Sequence, residues 1–109
     1  MKAGVYMYEN EKTKLQKIID DSTNIVFFGG AGVSTESGIP DFRSEDGLYR
    51  QKYKYSPEQV VSHSFFMKYP KQFYEFYKER MMCLDAKPNA AHNKLSELES
   101  LGKLKAVVT

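Results

Sequence analysis

The sequence predicts an α/β protein that is mostly helical and has two short parallel strands. Two apolar runs, Ile25–Phe28 and residues 106–108, contain the β-branched and aromatic residues that are typical of buried strands. Between these runs, apolar residues recur at helical spacing, and glycines and prolines mark the breaks. Because a sheet of two parallel strands leaves faces and edges without partners, we expect an incomplete domain.

Size, charge and composition exclude several classes of protein. The 109 residues are 41% hydrophobic, which is enough for one domain with a modest core. The formal net charge of +2 does not call for a polyanionic partner. The longest uncharged stretch, residues 22–35, is too short and polar for the roughly 20 apolar residues of a membrane span. The apolar stretch after Lys2 is shorter than a secretory signal, so we expect a cytoplasmic protein with no membrane segment.

The first predicted element is a helix over residues 10–21. Its apolar residues Leu15, Ile18 and Ile19 lie at positions i, i+3 and i+4, which gives the helix one apolar side. Asn10 is the residue type that caps a helix N-terminus, so we expect it to cap this helix.

The strand Ile25–Phe28 is predicted next, buried on both faces. Glycines follow it directly and indicate a tight turn, then a short helix over residues 33–37 that ends at Gly38. Residues 40–55 show neither a strand nor a helix period, so we expect a long irregular loop with few apolar anchors there.

Three helices are predicted beyond the loop. Ser56-Pro57-Glu58-Gln59 has the pattern of a capping box and opens the first of them. A second helix starts at Pro70 and carries an apolar stripe, for which a core-facing role is expected. The stripe consists of Phe73, Phe76, Tyr77, Met81 and Leu84. Asn89 is expected to cap the third helix and Gly102 to end it, before the second strand.

The loop of residues 29–34 is the strongest chemical signal, because glycines after a strand let backbone N–H groups approach a phosphate. It does not fit the standard dinucleotide fingerprint: Gly30 and Gly32 match, but Thr35 stands at the third glycine position. The chain contains no P-loop motif either. On the glycines alone, a purely structural tight turn remains an equal interpretation.

The motifs that continue from this loop resemble those of the sirtuin family, and of its bacterial, Thermotoga-like branch in particular. They are Gly30-Ala31-Gly32-Val33-Ser34, Gly38-Ile39-Pro40-Asp41-Phe42-Arg43, Gly47-Leu48-Tyr49, Pro88-Asn89-Ala90-Ala91-His92 and the final Val107-Val108-Thr109. The resemblance covers nearly the whole chain after Tyr8.

This resemblance implies a fold and an activity. Sirtuins are NAD-dependent protein lysine deacetylases with a Rossmann-like NAD-binding domain and a small zinc module. They use NAD as a co-substrate, act on acetyl-lysine proteins or peptides, and give nicotinamide and O-acetyl-ADP-ribose. The resemblance makes residues 1–109 the N-terminal part of the catalytic domain, with a cofactor-binding loop at about 29–55. The second half of the Rossmann-like domain, the zinc module and the catalytic histidine are then expected downstream, so this stretch alone is expected to be inactive and to hold no metal.

The resemblance also implies roles for nine residues in cofactor binding. Gly30, Ala31 and Gly32 would lie against the diphosphate and ribose, with polar contacts from Ser34 and Thr35. Asp41, Phe42 and Arg43 would shape the nicotinamide end, Phe42 by covering the reacting ribose carbon and Arg43 by placing positive charge near phosphate. Tyr49 is included on the same basis. We expect the loop of residues 35–55 to be mobile without cofactor.

Several alternatives stay open. Neither His63 nor His92 is assigned to catalysis, and His92 is expected to be a hydrogen-bonded structural residue. Sirtuins that prefer acidic acyl groups have a Tyr and an Arg spaced like Tyr77 and Arg80. The segment before this pair does not match that branch, however, and ordinary helix design is the favoured explanation.

A non-catalytic fragment that binds NAD or ADP-ribose is a further alternative, and exposed strand edges would let such a fragment self-associate. A nucleic-acid-binding fragment would use the cations and tyrosines of residues 50–55, for which a solvated loop edge is the expected explanation.

Overall fold

The computed structural model describes residues 2–109, with side chains from Tyr8 onward. The chain divides into two compact units. The strand unit is described over residues 2–28 and 94–109, and the helical unit consists of Gly29–Asn93. The regular elements are α1 (Lys2–Asp21), β1 (Ile25–Phe28), α2 (Pro57–Val60), α3 (His63–Lys68), α4 (Pro70–Phe76), α5 (Ala90–Ser100) and β2 (Leu104–Val108).

The first helix of the strand unit is longer than the sequence predicts. Because α1 already begins at Lys2, Asn10 lies inside it and the predicted cap at Asn10 is wrong. A cap needs non-helical backbone, and the residues before Asn10 continue the helix instead. At the other end, Lys103 Nζ donates to the carbonyls of Ile19 at 3.0 Å and Asp20 at 2.8 Å, in the last turn, where carbonyls lack partners within the helix.

The two strands pair in parallel, as predicted. Val26 is opposite Ala106 and Phe28 is opposite Val108, with an irregularity in the register after Ile25. The second strand starts at Leu104, two residues earlier than predicted.

The prediction that both faces of these strands are buried is wrong. In β1, Ile25 and Phe27 are half-buried, whereas Val26 is 62% and Phe28 81% exposed. In β2 only Leu104 is buried. A parallel sheet is buried only where a layer covers each face, and the exposed Val26 and Phe28 lie where the described residues provide no such cover.

The helical unit has its own core. Leu48, Val60 and Phe76 are almost fully buried. Partly buried apolar residues surround them: Phe42, Tyr53, Val61, Phe65, Phe73 and Met81. The short helices of this unit therefore pack around one hydrophobic core. The loop between Pro40 and α2 contributes Leu48 to this core.

The predicted apolar stripe is confirmed only in part. Phe76 is in the core and Phe73 and Met81 pack against it, but Leu84 is 83% exposed. The helix does not continue to Leu84, because after α4 the chain makes one π-helical turn, in which Met82 N donates to the carbonyl of Tyr77 at 3.0 Å. The stripe ends where this turn ends, at Met81.

The helix ends show where local signals work. The predicted capping box opens α2, but the side chain of Ser56 makes no capping bond. Ser62 caps α3 instead, since its hydroxyl accepts from the N–H of Phe65 at 3.2 Å. The glycine stops are confirmed, because Gly38 and Gly102 adopt φ values of 81° and 73°.

Two negative findings concern the part of the chain that the structure describes. None of its helices combines the length and the apolar character that crossing a bilayer requires. Across residues 2–109, no group of three or more His, Cys, Asp or Glu side chains converges as a metal site would require. The thiol of Cys83 is free and half-buried.

Candidate functional site

The glycine-rich segment that follows β1 in the chain forms a short 3₁₀ helix, Ala31–Ser37, which we call the 3₁₀ turn. Gly30 precedes it in an extended conformation, and its carbonyl accepts from the N–H of Val33 at 3.2 Å. The turn closes at Gly38, whose N–H donates to the carbonyl of Thr35 at 3.0 Å. The short helix predicted for residues 33–37 is thus confirmed and begins two residues earlier.

Neither the backbone conformation nor the packing around Gly30 and Gly32 requires glycine at these two positions. A Cβ added at either position would meet nothing within 4 Å, and neither residue has a positive φ. By contrast, Gly38 needs its left-handed backbone to end the turn. The space at Gly30 and Gly32 lets a ligand approach the backbone closely, which fits the phosphate-binding interpretation of this turn.

An open pocket of ≈ 160 Å³ lies beside the turn, within the helical unit. It is lined by Ala31, Ser34, Ile39, Pro40, Phe42, Leu48, Arg80 and Met81. The lining residues are mostly apolar and include one serine and one arginine. A few polar groups in an apolar pocket are typical of small-molecule sites, where they orient the ligand.

The loop after Pro40 is more regular in conformation than the sequence predicts. Its two sides are joined by backbone hydrogen bonds from Leu48 N to the Asp41 carbonyl, 2.6 Å, and from Tyr49 N to the Phe42 carbonyl, 2.8 Å. A short 3₁₀ turn, Leu48–Arg50, follows. The expectation of few apolar anchors is wrong, because Leu48 is one of the three buried core residues.

Gly47 lies at the closest approach within this loop. A Cβ there would be 2.7 Å from Oδ1 of Asp41 and 2.8 Å from the carbonyl carbon of Phe42. The same Asp41 oxygen accepts from the backbone N–H of Ser44 at 3.2 Å and from its hydroxyl. The carboxylate of Asp41 therefore holds the loop in shape, and only glycine fits opposite it.

Phe42, Arg43 and Tyr49 form a small cluster on the loop. The rings of Phe42 and Tyr49 are 5.4 Å apart, and the Arg43 guanidinium lies 5.4 Å from the centre of the Tyr49 ring. Arg43 is exposed and is not among the residues that line the pocket.

The structure brings some of the predicted site residues together. Ala31, Ser34 and Phe42 line the pocket, while Gly30, Gly32 and Thr35 lie on the adjoining turn. The hydroxyl of Thr35 donates to the Gly32 carbonyl at 2.9 Å, inside the turn. Asp41, Arg43 and Tyr49 belong to the loop and are outside the pocket lining.

Sequence reasoning missed Met81 as a pocket residue and did not place Arg80 there. Arg80 is half-buried in the π-helical turn, where its guanidinium donates to Oε1 of Gln51 at 3.3 Å and to the Lys52 carbonyl at 3.4 Å. It also lies 5.5 Å from the centre of the Tyr53 ring. The sequence signal for Arg80 was its position beside the apolar stripe, where a cation can lie at the edge of an apolar pocket. Tyr77, its partner in the acidic-acyl pattern, stacks on Phe73 at 6.1 Å and does not line the pocket.

The basic segment proposed for nucleic-acid binding makes an ion pair within the chain. Lys54 Nζ lies 3.2 Å from Oε2 of Glu75. The hydrogen bond to Glu75, and then its charge, raise the pKa of Lys54. Lys54 also lies over the rings of Tyr53 and Tyr55, at 5.9 and 5.8 Å. Because Lys54 is already paired within the chain, this arrangement favours a solvated loop edge over a nucleic-acid-binding site.

Comparisons with known proteins agree on one family. The Sir2 family model matches residues 30–109. An NAD-dependent protein deacetylase of Clostridium perfringens (strain 13 / Type A) is 57% identical over 103 residues, which are 93% of this chain and 42% of the relative. One of Sulfolobus acidocaldarius is 49% identical over 106 residues, 96% of this chain and 40% of the relative.

Solved structures give the same result. A Sir2 variant with a deacetylated p53 peptide and 3′-O-acetyl ADP ribose matches with a TM-score of 0.75 at 43% identity, over 87% of this chain and 37% of that one. A Sir2 homologue with ADP ribose matches with a TM-score of 0.72 at 43% identity, over 86% and 37%. The chain spans about 40% of the length of the curated relatives. By the family match and by these identities, the chain belongs to the Sir2 family.

Proposed function

We propose that the protein containing this chain is an NAD-dependent protein lysine deacetylase and that residues 1–109 supply the cofactor-binding loop of its catalytic domain. The observation that carries the proposal is the 3₁₀ turn with two unobstructed glycines, Gly30 and Gly32, beside a pocket with one hydroxyl and one cation. Two relatives that cover over nine-tenths of this chain bear the name of that activity.

The turn would hold the diphosphate and ribose of NAD. Gly30, Ala31 and Gly32 would offer backbone N–H groups at short range, because no side chain larger than a methyl group intervenes. Ser34, which lines the pocket, and Thr35 would add hydroxyl contacts. NAD, when bound, would supply the ADP-ribose that accepts the acetyl group, with nicotinamide as the leaving group and one water consumed as the lysine is released.

The loop would shape the nicotinamide end. Phe42 lines the pocket and would exclude water from the reacting carbon. Arg43 would place a guanidinium near phosphate, which its planar donors suit. Tyr49 would hold both side chains, since it contacts both here. Asp41 would act through the loop, by its hydrogen bonds to Ser44.

The remaining machinery is proposed to lie outside residues 1–109. Neither His63 nor His92 lines the pocket, and we place the catalytic histidine, the second half of the Rossmann-like domain and the zinc module elsewhere in the protein. These residues alone would then bind without turnover. Acetyl-lysine proteins or peptides would be the substrates and the cytoplasm the location.

The test is NAD-dependent deacetylation of an acetyl-lysine peptide by the full-length protein, with nicotinamide release measured in parallel. Gly32→Ala should raise the KM for NAD at least tenfold without lowering the melting temperature, because the added methyl group meets only space that the cofactor would use. Peptide turnover without NAD, or no turnover with it, would contradict the proposal.

Arg80 favours a second candidate, removal of acidic acyl groups, because this residue lines the pocket and a guanidinium released from Gln51 and the Lys52 carbonyl would suit a carboxylate. The measurement is the ratio of kcat/KM for succinyl-lysine and acetyl-lysine peptides. Arg80→Met should lower that ratio if the acidic group binds there, and an unchanged ratio would leave the acetyl substrate as the sole candidate.

A further inference from the structure

The side chain of Asn89 uses both ends of its amide group. Oδ1 accepts from the backbone N–H groups of Ala91 at 2.9 Å and His92 at 3.4 Å, which caps the start of α5. Nδ2 donates to the Val33 carbonyl at 2.8 Å and to the hydroxyl of Ser37 at 3.1 Å. The first pair of bonds is local, whereas the second reaches across more than 50 residues of chain.

The backbone of Asn89 is fixed as well. Its N–H donates to Nδ1 of His92 at 3.1 Å. Asn89 is half-buried and all its hydrogen-bonding groups on the side chain are engaged. Such a residue has one orientation, because turning the amide over would lose both sets of bonds.

The far ends of these bonds lie in the 3₁₀ turn that carries the candidate cofactor site. Val33 and Ser37 belong to Ala31–Ser37 and flank Ser34, which lines the pocket. Among the side chains that the structure describes, Asn89 alone makes hydrogen bonds into this turn from a distant part of the chain. The backbone that would face the phosphates is therefore held in place by Asn89.

We propose that Asn89 is a positioning residue of the cofactor site, which acts through Val33 and Ser37 and does not itself contact the ligand. It links the start of α5 to the 3₁₀ turn and so fixes the direction in which Gly30, Gly32 and Ser34 present their polar groups. This role in catalysis rests on the proposed NAD-dependent activity, while the link itself is a property of the unliganded protein.

Asn89→Asp tests the role in the full-length protein. Asp caps helices as well as Asn does, so the cap remains, but it cannot donate to the Val33 carbonyl and the bond to the backbone of the 3₁₀ turn is lost. The Ser37 hydroxyl can still donate to the carboxylate. We expect the KM for NAD to rise about tenfold, as for one lost hydrogen bond together with the repulsion between the new carboxylate and the Val33 carbonyl. The KM for the peptide and kcat should change less than twofold.

Hydrogen exchange of the unliganded protein gives a readout that does not depend on activity. Amides of residues 31–38 should exchange at least tenfold faster in Asn89→Asp, with α5 unchanged. Asn93→Asp is the matched control, since it adds the same charge to the same helix at an exposed position. It should leave the exchange and both KM values as in the parent protein.

Each outcome decides one question. Equal exchange of residues 31–38 in the variant and the parent would overturn the proposal, as would equal loss of protection over α5, which would make Asn89 a simple helix cap. If Asn89→Asp fails to fold, Asn89→Ser decides instead, because serine caps without reaching the turn. A parent protein that shows no NAD-dependent activity would refute the proposed function and leave the exchange result to judge the link.

Discussion

The helical unit and the strand unit use their apolar residues in opposite ways. In the helical unit, Leu48, Val60 and Phe76 are at most 3% exposed and share one core. In the strand unit, Leu98 and Leu104 are the buried apolar residues among those described, while Val26 and Phe28 are mostly exposed. The helical unit therefore buries its apolar side chains in its own core. The strand unit leaves apolar side chains of its sheet exposed, and burying them requires a further layer.

The largest expected effect compares two phenylalanines in the 109-residue chain. Phe76→Ala should lower the free energy of unfolding by about 3–5 kcal/mol, because it opens a cavity in the core. Phe28→Ala should change it by less than about 0.5 kcal/mol, because this ring is exposed. Urea unfolding followed by circular dichroism measures both, and equal losses would contradict the contrast. In the full-length protein, a larger cost for Phe28→Ala would show that a further layer covers the sheet.

The next effect compares two glycines of the helical unit. Gly47→Ala should destabilise the protein by about 1–3 kcal/mol, since its Cβ would collide with Asp41 and with the backbone of Phe42. Gly32→Ala should leave the melting temperature unchanged and weaken ADP-ribose binding. Thermal unfolding and calorimetric titration separate the two effects. A stable Gly47→Ala protein would mean that the loop adjusts freely.

Self-association sharpens the comparison further. If the exposed face of the strand unit drives it, Phe28→Lys should raise the dissociation constant of any oligomer of the 109-residue chain about tenfold, as expected when one aromatic ring leaves an interface. Tyr74→Lys, a half-exposed aromatic of the helical unit, is the control and should have no effect. Light scattering over a concentration series measures both, and a monomer at all concentrations would refute the self-association prediction.

The smallest effect concerns the exposed ion pair of the helical unit. Glu75 raises the pKa of Lys54 above its usual 10.5, so the pair contributes fully below about pH 10.5 and is lost as the pH rises through the higher value. Glu75→Gln should lower that pKa, whereas Glu79→Gln should not. A titration of Lys54 followed by NMR measures the shift, which added salt should reduce. The same pKa in both variants would rule out the pair in solution.

Features written into a few neighbouring residues could be predicted from the sequence. The stops at Gly38 and Gly102 and the cap at Asn89 were predictable, because each depends on the conformation or hydrogen bonds of one residue and its near neighbours. The predicted cap at Asn10 was wrong because a local signal does not show how far a helix extends. Asn10 lies inside α1, where there is no helix N-terminus to cap. The parallel pairing of two short strands was also predictable.

Features that depend on distant contacts could not be predicted. The burial of Leu48 and the long hydrogen bonds of Asn89 arise only when the chain has folded. The candidate site shows the same division. The glycine turn was readable from its motif, whereas the arrival of Arg80 in the pocket required a π-helical turn that apolar spacing does not reveal.

That π-helical turn, Tyr77–Met81, has a consequence for how lengths are compared among homologues. A π turn holds one residue more than an α turn, and each residue of a helix rotates the chain by about 100°. Deleting a single residue here would restore regular helix while turning Arg80 to another side. A homologue that lacks one residue at this position should therefore have a pocket without this arginine, even when every aligned side chain is the same.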